Sequence, residues 1–212
     1  MNGIRFRFIL LAWVLAFAGC AARVHDFMKP SQARALELYV PIYCDGYLFG
    51  TGFPVGEDMV MTAKHVREFC PSTPYLSLDG GKTFVVDGIW SVHPNPDYDV
   101  AIVIVPKGLI KSYAKFRAPR LGEFVSGFGI AYAGLMSVGI IAQVDPNFLV
   151  TNIPIGGMSG SAIVGNDGAV VGIVCYGMPD QRVGGTVSGG HPGDLLAHLL
   201  DTFKEYRSTN GV

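Results

Sequence analysis

A serine hydroxyl becomes a useful nucleophile only when a neighbouring base takes its proton and a buried acceptor holds that base in one tautomer. This chain carries one segment for each part. The serine lies in Gly156-Gly157-Met158-Ser159-Gly160-Ser161-Ala162, the histidine in Thr62-Ala63-Lys64-His65-Val66, and the aspartate in Tyr98-Asp99-Val100-Ala101-Ile102-Val103. Glycines around Ser159 free main-chain N–H groups to converge on one point, so Gly157 and Ser159 can supply an oxyanion hole. Taken singly each segment is commonplace. A serine between glycines is usually a plain turn, a histidine at a strand end is usually structural, and an aspartate before a strand is a common turn residue. The weight rests on their conjunction, with Asp97 as the rival of Asp99 for the third role.

The elements that must position these residues read as strands. Leu38–Cys44, Tyr47–Val55, Met59–Thr62, Tyr75–Leu78, Thr83–Trp90 and Val100–Val105 are short runs rich in aromatic and β-branched residues, broken by Gly, Pro or Asp. A second series follows at Phe124–Ile130, Ser137–Gln143, Phe148–Thr151, Ser161–Val164, Val170–Tyr176 and Gly184–Val187. Two sets of six strands predict an all-β fold of two barrels or sandwiches. Lys111–Pro119 reads as the linker between them, and a short helix can follow Pro30. Asp194–Arg207 is the convincing helix, with Leu195, Leu196, Leu199, Leu200 and Phe203 at helical spacing. The expected divisions are 1–19 leader, 20–37 lead-in, 38–118 first barrel, 119–190 second barrel, and 191–212 helix and tail.

Composition narrows the function classes. The 212 residues are 50% hydrophobic and only 16% charged, with 28 glycines, 13 prolines and a formal net charge of −1. Low charge density rules against a disordered scaffold, and the absence of a basic excess rules against a nucleic-acid partner. Without a CxxC pair or a Cys/His cluster, no metal or other cofactor is expected.

The first residues read as a targeting segment. Arg5 and Arg7 precede the apolar run Phe8–Ala18, and Gly19-Cys20-Ala21-Ala22 supplies small residues at the exit. A basic start, a short apolar run and small residues describe a secretory signal, too short for a stable span. The segment resembles a bacterial lipoprotein signal, in which Cys20 becomes the lipid-modified first residue, although Phe17 stands where that pattern has an aliphatic residue. Ordinary cleavage between Ala18 and Ala22, and an uncleaved anchor, are the alternatives. Loss of Arg5 and Arg7 takes the formal charge from −1 to −3, so any membrane attachment would run through a lipid on Cys20 and not through a basic patch. The expected location is periplasmic or cell-envelope.

With these segments in hand, the chain resembles the chymotrypsin-like serine proteases of the compact bacterial and viral type. TAKHV is similar to that family's histidine segment, YDVAIV to its aspartate strand, GGMSGSA to its nucleophile loop and GIVCYG to the strand lining its cleft. The resemblance spans Leu38 to Arg207 and implies two six-stranded antiparallel Greek-key β-barrels with a C-terminal helix. It implies that Ser159 attacks a peptide carbonyl, His65 acts as base and then acid, and Asp99 orients His65. It also places the base of the specificity pocket at Ile153 and Pro154, with walls at Cys175, Tyr176 and Gly177. No acidic residue stands there to pair with Lys or Arg, and no histidine stands at Val174 to take Glu. An apolar or small residue before the cleaved bond is therefore expected, in a polypeptide substrate. Cys44 and Cys70 flank the His65 segment as the family's histidine-loop disulfide does, and export permits that bridge; two buried thiols are the alternative.

The departures carry expectations of their own. Met158 stands where self-activating relatives have an aspartate, so activation by a newly cut N-terminus is not expected. Lys64 is expected to point to solvent, away from the imidazolium that forms at His65. Cys175 replaces a hydroxyl residue that often supports the catalytic aspartate. A silent protease-fold binding domain, and a hydrolase of non-peptide esters, are the competing functions.

Overall fold

The computed structural model describes residues 29–78, 82–85, 89–91, 98–129, 135–146, 149–151, 158–180 and 185–210. The expected leader with Cys20, the rival Asp97, the oxyanion candidate Gly157 and the pocket candidates Ile153 and Pro154 lie outside them. Among the described residues, α1 (Pro30–Glu37) leads into seven strands: β1 (Val40–Cys44), β2 (Tyr47–Gly56), β3 (Met59–Thr62), β4 (Tyr75–Leu78), β5 (Lys82–Val85), β6 (Ile89–Ser91) and β7 (Ala101–Ile104). The short helix α2 (Lys64–Glu68) sits between β3 and β4. Seven more strands follow: β8 (Phe124–Gly129), β9 (Leu135–Val144), β10 (Leu149–Thr151), β11 (Ala162–Gly165), β12 (Val170–Ile173), β13 (Tyr176–Asp180) and β14 (Gly185–Gly190), before α3 (Gly193–Asn210) closes the chain.

The first sheet runs β5-β4-β1-β2-β3-β7-β6 and the second β12-β11-β8-β9-β10-β14-β13. Counted within each half, these are the same strand order. Neighbouring strands pair antiparallel throughout. The all-β, two-sheet architecture with a terminal helix therefore stands, with seven strands per sheet where six were expected. Two runs read as single strands account for the difference. Thr83–Trp90 contains an Asp87-Gly88 turn signal and forms β5 and β6. In Val170–Tyr176 the chain changes partners: the Val174 N–H donates to Ser161 O at 2.9 Å, but the Cys175 N–H donates to Gly189 O, also at 2.9 Å. One strand thus ends on β11 and the next begins on β14.

The hydrophobic core is continuous across both halves. Phe53, Met61, Leu76 and Ile102 from the first sheet meet Val164, Val170 and Ile173 from the second and Leu196, Leu199, Leu200 and Phe203 from α3. Those four helix residues share one face at i, i+3, i+4 and i+7, and each such burial is worth about 2 kcal/mol. A second, smaller core of Val125, Ile141, Met158, Ile163, Val171 and Val174 lies inside the second half.

The halves are stitched along their seam. The Val170 N–H donates to Lys115 O at 2.7 Å and the Arg117 N–H to Val170 O at 3.1 Å, so part of the expected linker runs beside β12. The Arg117 side chain pairs with both Glu123 and Asp167 at 2.7 Å, and these partners push its guanidinium pKa up. At the far end of α3, Arg207 pairs at 3.0 Å with the nearly buried Asp58 of the β2–β3 turn. The helix α1, in turn, is fixed to β8 through Ser31 and Ser126, whose hydroxyls lie 3.2 Å apart.

Candidate active site

His65 stands one residue into α2, directly beyond β3, and Asp99 lies two residues before β7. Because β3 and β7 pair antiparallel, with Thr62 opposite Ala101, the end of one strand and the start of the next meet at the same rim. The meeting is a two-point clamp. The His65 main-chain N–H donates to Asp99 Oδ1 at 2.9 Å, and the His65 ring Nδ1 lies 2.6 Å from Asp99 Oδ2. A carboxylate on Nδ1 assigns that nitrogen its proton and leaves Nε2 as the basic one. Burial raises the Asp99 pKa, but the hydrogen bonds from the His65 ring and main chain outweigh it, so the net direction is down. Asp99 is thus held ionised against the His65 ring.

The bridge Cys44–Cys70 secures this corner from outside. It joins the end of β1 to the residue after the C-cap of α2 and closes a 26-residue separation, a constraint worth about 3 kcal/mol. Lys64 Nζ pairs with Glu68 at 3.2 Å along α2.

Ser159 reaches the same rim from the second half. The Thr51 N–H donates to Ser159 O at 2.8 Å, tying the serine's own peptide to β2. The next residue, Gly160, has φ +84, a conformation that side chains other than glycine's rarely adopt. A Cβ there would lie 2.0 Å from Thr51 O and 2.9 Å from Ala63 N, two residues before His65. The turn is locked from within as well, since the Gly160 N–H donates to Val174 O at 2.7 Å and the Ser161 N–H to Met158 O at 2.8 Å. Met158 is 2% exposed and packs in the apolar core of the second half, which leaves no carboxylate at that position for an ammonium to enter and pair with.

The remaining cleft candidates divide. Tyr176 and Gly177 are exposed at the start of β13. Cys175 is 3% exposed and turns its thiol toward Asp99, donating to the Asp99 main-chain carbonyl at 3.3 Å. Its side chain therefore stands behind the aspartate and is not available to a substrate. Burial, and then the Asp99 charge, push the thiol pKa well up, so it is neutral and a poor nucleophile.

These features have a parallel among known proteins. The profile of the trypsin-like peptidase domain matches residues 50–173, from within β2 through His65, Asp99 and Ser159 to the end of β12. The chain belongs to the trypsin-like peptidase family. Its fold is similar to that of a serine endoprotease from Yersinia pestis, with 21% identity and a TM-score of 0.68 over 82% of this chain and 65% of that one. It is also similar to a protein of Mycobacterium tuberculosis H37Rv solved in an inactive form with a serine replaced by alanine. There the identity is 20% and the TM-score 0.67, over 84% of this chain and 91% of that one. The chain spans about two thirds of the length of the Yersinia enzyme. None of the curated proteins searched matches it.

Within the family frame one contributor has no sequence motif. His191 is 5% exposed, and its Nε2 accepts the Asp99 main-chain N–H at 3.0 Å. A loop histidine is commonly solvent-exposed; this one is buried between the end of β14 and the start of α3. The glycine-rich approach Ser188-Gly189-Gly190 is the one local signal of that close packing.

Proposed function

We propose that this chain is an exported serine endopeptidase that hydrolyses peptide bonds through an acyl-enzyme. The observation that carries the reading is the two-point clamp of His65 by Asp99 on the rim to which Thr51 ties Ser159. Ser159 Oγ attacks the scissile carbonyl while His65 Nε2 takes its proton. The same proton is then given to the leaving amine, and water repeats the cycle on the ester. Asp99 holds the ring tautomer and stabilises the imidazolium without itself taking the proton. The N–H groups of Gly157 and Ser159 are assigned to the oxyanion, which is the largest electrostatic contribution in such a site.

The finer parts of the reading rest on sequence. An apolar or small residue before the cleaved bond follows from the lack of an acidic or histidine residue among the pocket positions. Export, and a lipid on Cys20, follow from the basic start, apolar run and small-residue exit of residues 1–22. Activity without N-terminal trimming is supported by Met158, whose side chain is committed to the core.

A fluorophosphonate probe on the purified protein tests the assignment beside a Ser159→Ala control. Labelling of the wild type alone, with peptide hydrolysis falling at least about 10⁴-fold in the variant, supports it. Labelling that never appears in the wild type defeats it in favour of a silent binding domain, and labelling that persists in the variant defeats Ser159 as the nucleophile. Mass spectrometry of the mature N-terminus decides the lipid: an unmodified start before or after Cys20 removes that part.

A further inference from the structure

We propose that His191 is a positioning residue for catalysis, its imidazole holding the Asp99 main-chain N–H while His65 engages the carboxylate, and so fixing where the carboxylate meets the ring. The inference rests on the serine-peptidase reading above. It concerns a residue that supplies no atom to the reaction.

Asp99 is held at each of its polar groups. Its carboxylate receives the His65 ring and main-chain N–H, its carbonyl receives the Cys175 thiol, and its N–H is received by His191 Nε2 at 3.0 Å. The first contact belongs to the first half of the molecule. The other two come from the second half, which also carries Ser159. The aspartate is therefore positioned by the same body that positions the nucleophile, and the two cannot drift apart without breaking these bonds.

The imidazole is well placed to hold this geometry. The His191 main-chain carbonyl accepts the Ile173 N–H at 3.1 Å, which pins its backbone to β12. Its ring stands edge-on to Tyr98, with centroids 5.6 Å apart and planes at 78°. Accepting at Nε2 requires a lone pair there, so the neutral ring carries its proton on Nδ1. A proton added at Nε2 would replace the acceptor with a second donor facing the Asp99 N–H. Among the described residues, Asp99 and Tyr98 face the ring, with His65 beyond the carboxylate and the Cys175 thiol on the Asp99 carbonyl; Asp194 on α3 is exposed. None of these can replace the lost acceptor, since the Asp99 carboxylate is already engaged by His65.

Three variants test the assignment. His191→Gln retains a side-chain acceptor, while at similar volume His191→Leu removes it and His191→Met leaves only a weak thioether acceptor, so that two proteins report on the loss. On a peptide substrate, Leu and Met are expected to lower kcat about 10- to 100-fold while KM moves less than about two-fold, and Gln to restore kcat to within about three-fold. The low-field proton resonance of the His65 Nδ1–H should persist in the wild type and Gln, and shift or broaden in Leu and Met. That resonance reads the His65–Asp99 geometry without requiring turnover. A wild type that neither labels nor cleaves would defeat the peptidase reading, while the resonance still judges His191. Unchanged kcat and resonance in a folded Leu or Met variant overturns the proposal, as does a folded Gln variant no better than Leu.

Discussion

The two halves of this molecule share one strand order yet secure their candidate catalytic residues by different means. In the first half, His65 and Asp99 sit at the adjacent ends of two paired strands, above a large apolar core and beside a disulfide. The ladder brings their main chains together at one rim. In the second half, Ser159 sits on a turn whose position depends on main-chain bonds and on glycine, with a smaller core beneath it. The first half positions by covalent and regular structure, the second by close approach of backbones. A shared strand order thus holds His65 by a ladder on one side and ties Ser159 to β2 by a main-chain bond from the other.

The largest expected effect breaks the first half's clamp. Asp99→Asn keeps the shape but reverses a donor at the His65 ring, and should lower kcat about 10⁴-fold with the fold intact; steady-state hydrolysis of a peptide measures it. A loss under tenfold would mean that the clamp does not set the tautomer.

Next comes the second half's dependence on backbone approach. Gly160→Ala places a Cβ 2.0 Å from Thr51 O at a positive φ, and should destabilise the protein by more than about 4 kcal/mol. Urea unfolding reads this directly, and a loss below about 1 kcal/mol would remove the contrast between the halves. Replacing both Cys44 and Cys70 by Ser should cost about 3 kcal/mol but leave the fluorophosphonate labelling rate within a few-fold, because the strand ladder still fixes His65. A collapse of labelling in the folded variant would transfer that role to the disulfide.

A pH test sharpens the same point. The folded-state pKa of Asp99 is depressed, so its ionised form contributes stability above its unfolded value of about 4. That contribution is lost as pH falls through the lower folded value. Unfolding free energy against pH should therefore lose one acid-side component in Asp99→Asn, and identical curves would contradict it. The smallest effect is on the surface: Lys64→Ala removes an i,i+4 pair with Glu68 and should change stability by about 0.3–0.5 kcal/mol, with hydrolysis unaltered.

Much of this was legible in advance, for reasons that can be named. Met59–Thr62 and Tyr75–Leu78 matched their expected strands residue for residue, because each is a β-rich run bounded by turn or cap residues. The closing helix was visible from its 3.6-residue period, and the structure extends it to Gly193–Asn210. The five-residue helix carrying His65 was not, since one and a half turns leave no period to detect. Val170–Tyr176 looked like one strand because apolar content is continuous across Ile173; the change of hydrogen-bond partner there is invisible in residue type.

What the sequence by itself determined is the set of candidate reacting groups, their order along the chain, and the alternation of strands and turns that carries them. These are local and periodic properties, written in neighbouring residues. Only the tertiary structure decided that Cys175 turns its thiol behind the aspartate, that Ser159 is tied to Thr51, and that His191 reaches Asp99 across 92 positions. Such contacts join segments whose separations follow no period. They arise when two sheets and a helix close over a shared core, and the packing, not the neighbouring residues, selects which polar groups meet.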